Sequence, residues 1–192
     1  METALFTQTF GPPLPDSAMS AEGLGLAASG TLRAAGQAHC TGVFQDGLLS
    51  VCSGRENGGD PGGWARFLPA GTRLFASSAF GFLCLSGGED LWVIDTQYGQ
   101  VVESDASLAE FFEMICEAEL RRDFLREPLW RQWQQLNPAV LRDAWLCPTP
   151  AIALGGQWTL ASLQTMTPAL LLSFTAQLFD AAGPGAVSVR RL

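Results

Sequence analysis

Residues 91–112 read LWVIDTQYGQVVESDASLAEFF, and this stretch decides the fold class. Leu91-Trp92-Val93-Ile94-Asp95 and Gln100-Val101-Val102-Glu103 are apolar runs joined by the turn Thr96-Gln97-Tyr98-Gly99, the pattern of paired strands. A helix signal follows at once. Ser107 stands three residues before Glu110, the spacing of a capping box in which each side chain satisfies an otherwise unpaired backbone N–H. Leu108, Phe111, Phe112 and Ile115 then recur at i, i+3, i+4 and i+7, with Glu110, Glu113 and Glu117 on the other side. The chain passes here from strand to helix.

Working outward toward the N-terminus, Arg73 to Ser77 and Phe80 to Ser86 read as two further strands. The second reaches Leu91 through Gly87-Gly88-Glu89-Asp90, so the set forms an antiparallel meander. Val43 to Val51 is a separate hairpin, because Asp46-Gly47 supplies the positive φ angles of a tight turn. Residues 53–63, SGRENGGDPGG, are a loop. Residues 1–35 are mixed in composition, with a short helix expected from Ser20.

Toward the C-terminus, Leu120 to Leu136 reads as helix interrupted near Pro128, and Thr159 to Ser162 as the start of another helix. Thr167-Pro168 is an N-cap and N1 pair for a last helix to about Phe179, and the tail AAGPGAVSVRRL is expected to fray. The expected class is α+β: an antiparallel β-meander in the N-terminal part followed by a mainly helical C-terminal part.

Composition limits the functions available. The 192 residues are 47% hydrophobic and 16% charged, with six Trp and twelve Phe, enough to bury a sizeable core. The net charge of −8, with eleven Arg and no Lys, argues against direct nucleic-acid binding, since phosphate contacts need cations. Five cysteines, Cys40, Cys52, Cys84, Cys116 and Cys147, form no C-x-x-C, so reduced thiols in a cytoplasmic protein are expected rather than a zinc ribbon or a disulfide framework. The N-terminal METALFTQTFGPPLPD lacks the basic and apolar regions of a signal peptide. The uncharged run from Ala144 to Phe179 is broken by Pro148, Pro150, Gly155, Gly156 and Pro168, so it reads as core and not as a membrane span.

Charge distribution is the stronger functional signal. Between Glu89 and Glu119 lie nine carboxylates, Glu89, Asp90, Asp95, Glu103, Asp105, Glu110, Glu113, Glu117 and Glu119, and no Arg. A solvated helix face is the ordinary meaning of charge opposite an apolar stripe, but ordinary surface helices mix signs. An acidic face on folded support suggests a basic partner. No carboxylate group follows the calcium-loop pattern, and no metal or cofactor is expected. His39, the one histidine, stands beside Cys40. A small cysteine hydrolase is therefore an alternative, although adjacent side chains serve poorly as base and nucleophile in extended structure. Gly23-Leu24-Gly25-Leu26-Ala27-Ala28 matches a loose dinucleotide pattern without the strand that should lead into it. Trp130, Trp133, Trp145 and Trp158 read as core, with one or two as interface anchors. No catalytic residue is assigned.

Three stretches together resemble a known family. Phe10-Gly11-Pro12-Pro13 and Phe44-Gln45-Asp46-Gly47-Leu48 resemble the GAD-like domain. Leu91 to Phe112 is similar to the hairpin and S-L-x-E-F helix at its junction with a second domain. Pro150-Ala151-Ile152-Ala153-Leu154-Gly155-Gly156, with the closing Ala176-Gln177-Leu178, resembles the C-terminal domain of type VI secretion immunity proteins. The resemblance implies a GAD-like domain over 1–103, an immunity domain over 104–180 and a tail over 181–192. It implies a cytoplasmic protein that binds a cognate antibacterial toxin one to one, commonly a DNase, and is not an enzyme. A sensor or adaptor module is a further alternative, since GAD-like domains also occur without an obvious toxin.

Overall fold

In the computed structural model, residues 2–14, 42–51, 61–87, 90–138, 144–183 and 185–191 are described. The meander forms as its sequence predicts. Strands β3 (Arg73–Ser78), β4 (Phe82–Gly87), β5 (Asp90–Asp95) and β6 (Gln100–Ser104) pair antiparallel in order. The hairpin β1 (Gly42–Phe44) and β2 (Leu49–Val51) adds to β3. Its turn takes positive φ at Gln45, Asp46 and Gly47.

The tail does not fray as expected. Ser188–Arg191 forms β9, which pairs parallel to β6 with Val101 opposite Val189 and completes a seven-stranded, mostly antiparallel sheet ordered β1-β2-β3-β4-β5-β6-β9. Ser188 N–H donates to the Gly99 carbonyl at 2.8 Å, which starts this ladder. Long-range pairing supplies what local composition withheld.

A helix unforeseen in the sequence, α1 (Glu2–Phe10), precedes the sheet and buries Phe6 and Phe10. The Phe6 ring meets Phe44 edge-on at 4.9 Å and Phe112 at 5.4 Å. Phe112 belongs to α2 (Leu108–Met114), which starts at the expected capping box: Ser107 N–H donates to Glu110 Oε2 at 2.7 Å, and Glu110 N–H donates to Ser107 Oγ at 3.2 Å. Phe75, at a β-bulge in β3, packs edge-on against Phe111 at 5.3 Å.

The helix ends sooner than the apolar spacing suggests. Glu117 has extended backbone and begins a separate helix, α3 (Ala118–Asp123). Arg126 then takes left-handed φ of 52° before α4 (Glu127–Leu136), with Pro128 in its first turn. Residues 120–136 are thus two helices, and the interruption falls just before Pro128.

Beyond α4, Trp145–Pro148 forms β7, which pairs antiparallel with β8 (Leu163–Met166) as a two-stranded sheet. The expected helix from Thr159 is instead one 3-10 turn, Leu160–Ser162, because the chain enters β8 immediately. Leu146 N–H donates to the Ala79 carbonyl at 2.6 Å, tying this small sheet to the β3–β4 turn. The last helix, α5 (Pro168–Ala181), starts with Thr167 Oγ1 accepting from Leu170 N–H, as expected. It packs on the 3-10 segment Gly62–Phe67, where Trp64 meets Phe179 at 5.7 Å. The class is α+β, and the C-terminal part carries β7, β8 and β9 besides its helices.

Candidate functional site

Strands β5 and β6 and the segment from Ser104 through α3 carry the described carboxylates of the acidic block. Its carboxylates fall into two groups. Asp95 closes β5, where its Oδ1 accepts from the N–H of Gln97 at 3.0 Å and Tyr98 at 3.3 Å, and its Oδ2 lies 3.6 Å from Arg126. Burial pushes the Asp95 carboxyl above its ordinary value, partly offset by the Arg126 charge and the two backbone hydrogen bonds. Glu103 on β6 lies 3.7 Å from Arg191 on β9. These two carboxylates are committed inside the fold. Asp90 is half-buried at the start of β5, and Glu89 lies outside the described residues.

The second group faces water. Asp105, Glu110, Glu113, Glu117 and Glu119 are all exposed, and no ion pair among the described residues includes any of them. Among the described residues Glu110 is engaged by Ser107, whose backbone and side-chain hydrogen bonds hold its carboxyl below the ordinary value. The expected single-helix stripe is corrected in one respect: Glu113 lies on α2, while Glu117 stands at the N-cap position of α3 without a side-chain cap bond and Glu119 lies in the first turn of α3. A bend divides the acidic face between two short helices.

The following arginines are engaged mainly with other partners, although Arg122 also interacts with Glu119 through its charge. Arg121 Nε donates to Glu127 Oε2 at 2.9 Å, and its guanidinium also reaches the Cys116 carbonyl. Arg131 donates to Glu127 Oε1 at 2.5 Å. Burial pushes the Glu127 carboxyl up, but hydrogen bonds from Arg131 and Arg121 and their charges more than offset it, leaving it below its ordinary value. Arg122 pairs with Asp123 at 2.7 Å. Arg126 turns to Asp95 and lies over the rings of Trp158 at 4.1 Å and Tyr98 at 5.6 Å. Trp158 Nε1–H donates to the Tyr98 hydroxyl at 3.1 Å. Sequence spacing offers no signal for this cluster, since its members come from three separated turns.

Trp130 and Trp145 are buried as expected, and Trp133 stacks on Trp130 at 5.4 Å. Trp130 Nε1–H donates to the Gln45 carbonyl at 3.0 Å, while Gln134 donates to Asp46, so α4 clasps the left-handed hairpin tip.

Cys84, Cys116 and Cys147 are buried free thiols, each pushed by burial above the ordinary thiol value and so kept from the thiolate form a nucleophile needs. His39, Cys40, Cys52, the Ser20 helix, Gly23 to Ala28 and residues 53–60 lie outside the described residues. Among the described residues no group of three or more His, Cys, Asp or Glu is placed to hold a metal ion, and no helix is long and apolar enough to cross a membrane.

No family model matches this sequence, and no curated protein matches it. Among solved structures, the crystal structure of Atu4351 from Agrobacterium tumefaciens is similar, with a TM-score of 0.58 at 15% identity, covering 97% of this chain and 91% of that one. At that identity the likeness shows a shared fold over nearly the whole chain.

Proposed function

We propose that this chain is a cytoplasmic immunity protein that binds one molecule of a basic antibacterial toxin of the type VI secretion kind, most readily a DNase, and occludes its active or DNA-binding surface. It has a GAD-like part over 1–103, an immunity part over 104–180 and a tail over 181–192. The observation that carries the reading is the group Asp105, Glu110, Glu113, Glu117 and Glu119. They are exposed carboxylates with no cation in ion-pairing distance among the described residues, while neighbouring arginines turn to Glu127, Asp95 and Asp123.

A nuclease must offer a positive groove to phosphate. A carboxylate face held on folded backbone steers association with that groove and complements its charge, and the groove then no longer admits DNA. The sequence resemblance points to the same role. The test is genetic. Cells producing the proposed cognate nuclease toxin should survive only when they also produce the chain. Death despite abundant folded protein would remove the proposal.

A further inference from the structure

Tyr98 and Phe124 are large aromatic side chains left 44% and 42% exposed, and they flank one ion pair. Tyr98 lies beside Arg126, and Phe124 packs on Phe82 with ring centroids 5.0 Å apart. Phe82 is the register partner of Asp95, which lies 3.6 Å from Arg126. The patch is rigidly backed. Trp158 meets Phe80 edge-on at 5.5 Å while Arg126 covers its face, and Asp95 fixes the Tyr98 turn through two backbone hydrogen bonds.

From this arrangement we infer that Tyr98 and Phe124 are the apolar anchors of the toxin footprint, and that Glu113, Glu117 and Glu119 form its charged rim. The inference rests on the toxin-binding reading and names the residues that hold the complex together once it forms. Three features fit a basic protein as the occupant. The patch adjoins the acidic face at Glu119, since α3 carries Glu119 in its first turn and ends at its C-cap, Phe124. Its own cations are matched internally, Arg126 by Asp95 and Arg122 by Asp123, so they do not repel a positive surface. Exposed aromatic rings also accept lysine or arginine side chains over their faces. A second copy of this chain fits poorly, since its acidic rim would meet this one.

Interfaces concentrate affinity in buried aromatic and arginine anchors, while rim charges act mainly on association. Tyr98→Ala and Phe124→Ala should therefore each speed dissociation of the complex with the proposed cognate nuclease about tenfold or more, with association changed less than about twofold. Tyr98→Phe, which keeps the ring, should dissociate like the parent. Tyr98→Arg, at an exposed turn position, keeps the test open if Phe124→Ala unfolds, and should weaken binding by like-charge contact. Unchanged dissociation in the alanine variants, with the parent still binding tightly, overturns the anchor assignment while leaving the toxin-binding reading intact. Failure of the parent to bind removes both. Variants that alter self-association instead would assign the patch to a second copy and also overturn the inference.

Discussion

Replacing Thr175 by valine removes one oxygen from the core and almost preserves the side-chain shape. Thr175 is buried on α5, where Oγ1 accepts from Trp64 Nε1–H at 3.1 Å and donates to the Leu171 carbonyl at 2.8 Å. Trp64 is fully buried between Phe67 and Phe179. Valine leaves the indole N–H buried without an acceptor, at a cost of about 1–3 kcal/mol. The Leu171 carbonyl suffers less, because it retains its backbone helix bond. Serine keeps the oxygen and gives up one methyl, costing about 1 kcal/mol. Urea unfolding should thus rank Thr175→Val as more destabilising than Thr175→Ser. A Trp64→Phe background, which has no indole N–H, should make Thr175→Val nearly neutral. If valine is the milder change, or costs the same in both backgrounds, the Trp64–Thr175 bond is not what locks α5 onto the Gly62–Phe67 segment.

Reversing Glu113, Glu117 and Glu119 to Lys takes the net charge from −8 to about −2. Association with the proposed toxin should slow by about 10- to 100-fold at low salt, measured by stopped flow, with thermal stability little changed. Glu127 is held below its ordinary carboxyl value, so its contribution is present above about pH 4.5 and is lost as pH falls through its folded value. Glu127→Gln should flatten that part of an acid-unfolding profile, and an unaltered acid limb would refute the assignment. Asp95 has the opposite sign, favouring the fold when protonated and losing that contribution as pH rises from its ordinary 3.8 through its folded value. The two glycines of the Pro150–Gly156 element should differ. Gly155→Ala meets open space and bears only a left-handed φ of 85°, costing about 1 kcal/mol in thermal or chemical unfolding. Gly156→Ala drives its Cβ into the Pro150 carbonyl oxygen and should cost about 3 kcal/mol or more in the same experiment.

The sequence states the meander and its following helix openly, because β3 to β6 are neighbours joined by short turns and Ser107-Glu110 is a local cap. Distant partners hide the rest. The segment Glu2–Phe10 has little helical patterning, and burial of Phe6 and Phe10 against Phe44 and Phe112 gives it a packed face. The tail becomes a strand through β6, over eighty residues away. Thr159-Ser162 carries a real capping box, yet pairing of Leu163–Met166 with β7 ends the helix after one turn. At the candidate site, the acidic run is plain in the sequence. Which carboxylates remain unmatched is not, because Asp95 and Glu103 meet Arg126 and Arg191 only in the fold. The Tyr98, Arg126 and Trp158 cluster is silent for the same reason.

The most direct test is a titration of this chain into a plasmid-cleavage reaction containing its proposed cognate nuclease toxin, at low and at higher salt. The account predicts that cleavage stops sharply at one equivalent, with protection weakening as salt screens the acidic face. Cleavage that continues unchanged at a large excess of chain would contradict it.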